Sequence, residues 1–73
     1  MKIRWNDETT AVYEACVWED GNIDLMEGEY YTTKAEAVKA VKTCKKNYKG
    51  NGELDCFVRY HDYWNDIVKD YEI

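Results

Sequence analysis

The side chains here that could ligate a metal ion or act as a nucleophile are few: Cys16, Cys44, Cys56 and a single histidine, His61. Together they are numerically sufficient for zinc, but the cysteines lie too far apart along the chain for paired C-x-x-C knuckles. Each also falls where the local pattern points inward, and a free cysteine behaves as a small buried hydrophobe. No metal site and no cofactor is therefore expected. Pairing Cys56 with His61 as nucleophile and base fares no better, since His61 reads as lying past a strand end, in a turn. Serine is absent from the chain, so a serine nucleophile is excluded. No oxyanion hole, phosphate-binding glycine loop or specific pair of acid and base carboxylates is apparent, and no catalytic residue is expected.

The elements that would position any site are easier to read. Thr33-Lys34-Ala35-Glu36 has the form of a capping box, and Ala37, Val38, Val41, Cys44 and Tyr48 follow at three- and four-residue steps, which predicts a helix from Thr33 to Lys49. Gly50-Asn51-Gly52 should stop it, with a glycine in the left-handed conformation. Upstream, Thr10 to Glu19 is rich in β-branched and aromatic residues, and Asp20-Gly21-Asn22 reads as a hairpin turn before a second strand starting at Ile23. Gly28 suggests a bulge in that strand before Tyr30 and Tyr31. Downstream, Leu54 to Tyr60 alternates as a third strand. A turn near His61–Asn65 should return the chain as Ile67 to Tyr71, in a strand or a short helix. Met1 to Trp5 supplies a candidate edge strand. The expected fold is α+β: an antiparallel sheet of four or five strands in the order β-β-α-β-β, with one helix packed on one face. A single helix covers only one face, so the other should meet water, a second subunit or a partner.

The 73 residues suit one domain, and 45% hydrophobic with 34% charged residues is a globular composition. The N-terminal residues form no signal-like apolar run, and three cysteines is an odd number for a disulfide framework; a cytoplasmic location is expected. The net charge of −5 hides an asymmetry. Residues 33–49 hold six lysines against Glu36, whereas the remainder holds four cations against fourteen acids. Lys39, Lys42, Lys46 and Lys49 fall in one sector of the helical wheel and could meet nucleic acid, although the surrounding negative field opposes phosphate. The acids elsewhere are interleaved with eleven aromatics, more than one small core encloses. Tyrosine and tryptophan are enriched at interface hot spots, and carboxylates beside them steer toward a cationic partner. The candidate partner-binding residues are therefore Glu14, Glu27, Glu29, Tyr31, Asp55, Asp62, Tyr63, Trp64 and Asp66.

The stretch from Tyr30 to Val38, followed by Gly52-Glu53-Leu54, resembles the strand-to-helix and helix-to-strand junctions of small bacterial and phage β-β-α-β domains of unknown function. It is similar too to the arm-type DNA-binding domain of phage integrases. In size, acidity and lack of a catalytic set, the chain resembles phage-encoded inhibitors of host defence, including anti-CRISPR proteins and DNA mimics. The arm-type resemblance implies a sheet that enters a DNA groove, whereas the acidic, aromatic surface and the likeness to inhibitors point to a non-enzymatic interaction protein that occludes a basic, nucleic-acid-binding protein partner. The alternatives are a nucleic-acid-binding regulator using the lysine face, and a structural or homodimerisation module.

Overall fold

The computed structural model describes residues 1–4 and 11–73. Trp5 and Thr10, used in the reading above, lie outside that set. The described residues form an α+β fold: β1 (Lys2–Ile3), β2 (Ala11–Glu19), β3 (Ile23–Asp24), β4 (Tyr30–Tyr31), α1 (Lys34–Asn47), β5 (Leu54–Asp62) and β6 (Ile67–Glu72). All pairings are antiparallel, in the order β1-β4-β2-β5-β6, with β3 pairing β2 beyond the end of β4. The expected second strand is thus split in two. Gly28, at φ 80°, closes a turn between the pieces rather than a bulge within one strand. The C-terminal segment is a strand.

Local chemistry explains the turns. Asp20 (φ 53°) and Gly21 (φ 74°) both occupy positive φ, as the central pair of a hairpin turn of the primed kind requires, and the Asn22 amide donates to the Glu19 carbonyl at 3.1 Å. At the head of α1, the Glu36 amide donates to Thr33 Oγ1 at 3.3 Å. The glutamate side chain closes the cap differently from expectation: its carboxylate accepts the Thr33 hydroxyl at 2.7 Å and pairs with the N-terminal ammonium. These contacts hold the Glu36 carboxyl below the usual carboxylate range, the ammonium contributing most.

The helix ends two residues earlier than expected, and by another means. Tyr48 turns extended (φ −66°, ψ 129°), and its hydroxyl donates to Glu19 while accepting the Gly52 amide at 2.8 Å. Gly50 and Gly52 are not at positive φ. A Cβ on Gly52 would lie 2.6 Å from the Glu19 side chain, and one on Gly50 2.4 Å from the Tyr48 hydroxyl. Glycine at both positions lets these side chains approach the backbone closely.

The main core lies between α1 and one face of the sheet, where Ala15, Val17, Ala37, Val41, Cys56 and Val58 are buried. Ala37 and Val41, one turn apart, are fully enclosed, and the small Ala37 lets the helix approach β2 and β5 closely. Strand alternation sends Val12, Glu14, Cys16, Trp18, Phe57, Arg59 and His61 to the far face. Val12 is 0% exposed, Cys16 3% and Phe57 7%, so the centre of that face is not open to water, a second subunit or a partner as expected. The expectation holds only at its margins.

Candidate docking surface

Two kinds of site remain to be distinguished: the polar groups of the far face, and the exposed surface where β5 turns into β6. On the far face, His61 belongs to β5 and not to the turn, because that strand runs two residues past Tyr60. Its Nε2 stands 2.9 Å from Glu14 Oε1, with both side chains mostly enclosed. Beside this pair, Arg59 donates through Nε and Nη2 to both carboxylate oxygens of Asp70, at 2.8 and 3.1 Å. The guanidinium holds the Asp70 carboxyl below its ordinary range and lies 5.3 Å from the Phe57 ring centroid. The polar groups are thus matched to one another across β2, β5 and β6, as partly buried charges must be. This arrangement fastens the sheet.

The thiols do not converge. Cys16 is on the far face and Cys56 on the helix face with Cys44, so the sheet separates them, and the described residues contain no group of three or more metal-ligating side chains. Burial, reinforced by the neighbouring Glu14 carboxylate, pushes the Cys16 thiol up to about 12, which leaves it protonated and unreactive at neutral pH. Cys56 and His61 sit five residues apart on one strand and therefore face opposite ways. Their pairing as nucleophile and base does not occur.

The β5–β6 turn is built differently. Asp62 pairs with Ile67 across its base. Asp62 Oδ1 accepts the Asn65 amide at 3.2 Å, its Oδ2 accepts the Asn65 side chain at 2.9 Å, and the Tyr60 hydroxyl donates to it at 3.2 Å. The Asn65 side chain is the main reason that the Asp62 carboxyl sits below its usual range. Asp66 takes φ 50°, a region in which aspartate is among the better tolerated residues. These bonds fix the loop and project Tyr63 and Trp64 outward, 64% and 81% exposed, with Ile67 at 46% and Val68 at 63% beside them. The helix rests on β2, β5 and β4, and the Lys34 ammonium at its start lies 3.8 Å from the Tyr71 ring centroid on β6.

The partner-binding residues read from sequence are therefore divided. Asp62, Tyr63, Trp64 and Asp66 meet at the hairpin tip. Glu14 is on the far face, bound to His61, and Asp55 is on the same face at the opposite end of β5. Glu27 is exposed in the β3–β4 turn, while Glu29 is bound to Lys2 at 2.5 Å. Tyr31 lies against the helix-side core. Of the lysines, Lys39, Lys42 and Lys46 are exposed on α1, and Lys49 stands beyond its end, where the helical wheel no longer applies. The sequence reading missed Val68, Asp70 and Glu72, which extend the tip along β6. The period-two pattern of Ile67–Glu72 could have shown that they share a face.

Among the described residues, fold and surface define a small α+β domain with one helix, whose sheet is fastened by internal ion pairs and which exposes an acidic, ring-bearing hairpin. Compared with protein-family models, with curated proteins and with solved structures, the chain matches none.

Proposed function

We propose that this chain is a non-catalytic interaction protein that docks on a basic protein through the β5–β6 hairpin and occludes its anion-binding surface. The observation that carries the reading is the presentation of Trp64, 81% exposed, on a loop already fixed by the Asp62–Asn65 bonds. An indole held out in water gains most from burial against a partner, and a loop ordered beforehand loses little entropy when it docks. Asp62 and Asp66 flank it, with Glu72 further along the strand, so the approach of a cationic surface is favoured electrostatically. An inhibitor of a nucleic-acid-binding protein, of the kind phages carry against host defence, is the most concrete form of such a molecule. No helix among the described residues is long and apolar enough to cross a membrane.

Affinity capture from host lysates at low salt tests this, run in parallel with the wild type, Trp64→Ala and Lys42→Glu. A basic protein held by the wild type, released by salt and lost with Trp64→Ala is the expected result. Identical capture by the wild type and Trp64→Ala overturns the reading. Recovery of nucleic acid that depends on Lys42 would transfer the function to the helix face.

A further inference from the structure

The outermost strand of the hairpin has an edge that no described strand covers. Which backbone groups point there follows from the hydrogen-bond phase. The Ile73 amide donates to the Cys56 carbonyl at 3.1 Å, and opposed residues of an antiparallel pair alternate between bonded and non-bonded. Counting back along the register, Tyr71, Lys69 and Ile67 direct their amides and carbonyls inward, to Val58, Tyr60 and Asp62. Val68, Asp70 and Glu72 direct theirs outward. The opposite side of β5 agrees with this phase: Ala15 and Val17 bond to the 25–29 segment, which leaves the even-numbered residues of β2 facing the odd-numbered residues of β5.

The residues that own the outward backbone groups also share a side-chain face, the one turned from the helix, and two of the three are acidic. From this coincidence we infer that β6 receives an extended segment of the basic partner as an added antiparallel strand, with a lysine or arginine opposite Glu72, the Asp70 carboxylate being already held by Arg59. The inference rests on the proposed docking function and specifies its geometry. Main-chain bonds to Val68, Asp70 and Glu72 would supply affinity, and the Glu72 carboxylate would select for a cation. Lys69, the edge lysine that commonly discourages such pairing, is on the other face with its ammonium 5.1 Å from the Tyr71 ring centroid.

A second copy of the chain fits this edge poorly. Symmetric antiparallel pairing must place the two-fold axis on one residue of the strand. Centred on Asp70 it opposes two carboxylates, and centred on Lys69 it opposes two ammonium groups. Centred on Val68 it sets Asp70 against Asp66 of the copy, centred on Tyr71 it sets Asp70 against Glu72, centred on Glu72 it opposes two carboxylates, and centred on Ile67 it overlaps only the first residue of each strand. Directly opposed like charges destabilise a strand pair.

The probe is a capped nonapeptide alternating lysine and valine, titrated into ¹⁵N-labelled full-length protein and followed by amide hydrogen exchange. Controls are the glutamate–valine peptide and a lysine–valine peptide N-methylated on the amides that would face β6. Slowing of exchange at Val68, Asp70 and Glu72 by about 10-fold or more is expected with the first peptide alone, while Lys69 and Tyr71, already bonded, change little. Equal protection by the glutamate peptide, or by the N-methylated one, overturns the inference. Perturbation of Tyr63 and Trp64 without protection of the outward amides also overturns it but leaves docking on a basic partner standing. Absence of any peptide binding removes strand addition, and the Trp64→Ala capture experiment then decides the docking function separately. Protection that rises with protein concentration in the absence of peptide would identify a second copy as the occupant, against the inference.

Discussion

The two faces of the sheet solve the same problem with different chemistry. Under the helix, Ala15, Val17, Val41 and Val58 interlock through small aliphatic groups, and burial alone holds them. On the far face, Val12, Cys16 and Phe57 are just as inaccessible but are ringed by charged side chains that satisfy one another, His61 with Glu14 and Arg59 with Asp70. The helix side is stabilised by what it excludes from water, and the far side also by what it pairs. The Glu14 and Asp70 carboxylates are matched in this way, so the candidate surface draws its free charge from the hairpin tip and from Glu72 on β6.

That contrast is most sharply broken by core truncation. Phe57→Ala should lower the unfolding free energy by about 3 kcal/mol, because a large ring leaves a large cavity. Val17→Ala, under the helix, should cost about 2 kcal/mol from lost burial. Urea denaturation of both variants checks the order, and a smaller loss for Phe57→Ala would show that the far face contributes little to stability.

A smaller effect belongs to the helix side. Thr33→Ala removes the acceptor for the Glu36 amide and should cost about 1 kcal/mol, visible as a lower urea midpoint and loss of helical circular dichroism in the first turn. An unchanged midpoint would mean that the Glu36 contact with the N-terminal ammonium suffices as a cap.

The smallest effect concerns the far-face ion pair. Because Arg59 depresses the Asp70 carboxyl in the folded state, the pair's contribution is fully present above the ordinary carboxylate range and is lost as pH falls through the depressed folded value. Both side chains are more than a third exposed, at 38% and 42%, so solvent screening limits the contribution to under about 1 kcal/mol. Asp70→Asn should therefore flatten part of the acid limb of the stability profile below about pH 4 while leaving the neutral-pH midpoint slightly lower. An acid limb identical to that of the wild type would show that the pair is fully screened.

Much of the architecture was legible in short stretches of sequence. The Thr33 cap, the three- and four-residue steps behind it, the Asp20-Gly21 turn and the alternation of Leu54–Tyr60 are each determined by residues within one or two turns of chain, and the structure has all of them. The helix terminus was not legible, because it depends on the Tyr48 hydroxyl meeting Glu19, a residue from a different strand. Nor was the placement of His61, whose strand continues only because β2 and β6 supply partners on both sides.

By itself, then, the sequence determined the kinds of elements, their order and the α+β class, since backbone preference, capping and hydrophobic period act over a few residues. Which charges neutralise each other, which rings stay in water and which strand edge lies uncovered were decided only by the tertiary structure. Those outcomes depend on strand register, and register brings together residues such as Glu14 and His61 that are far apart along the chain.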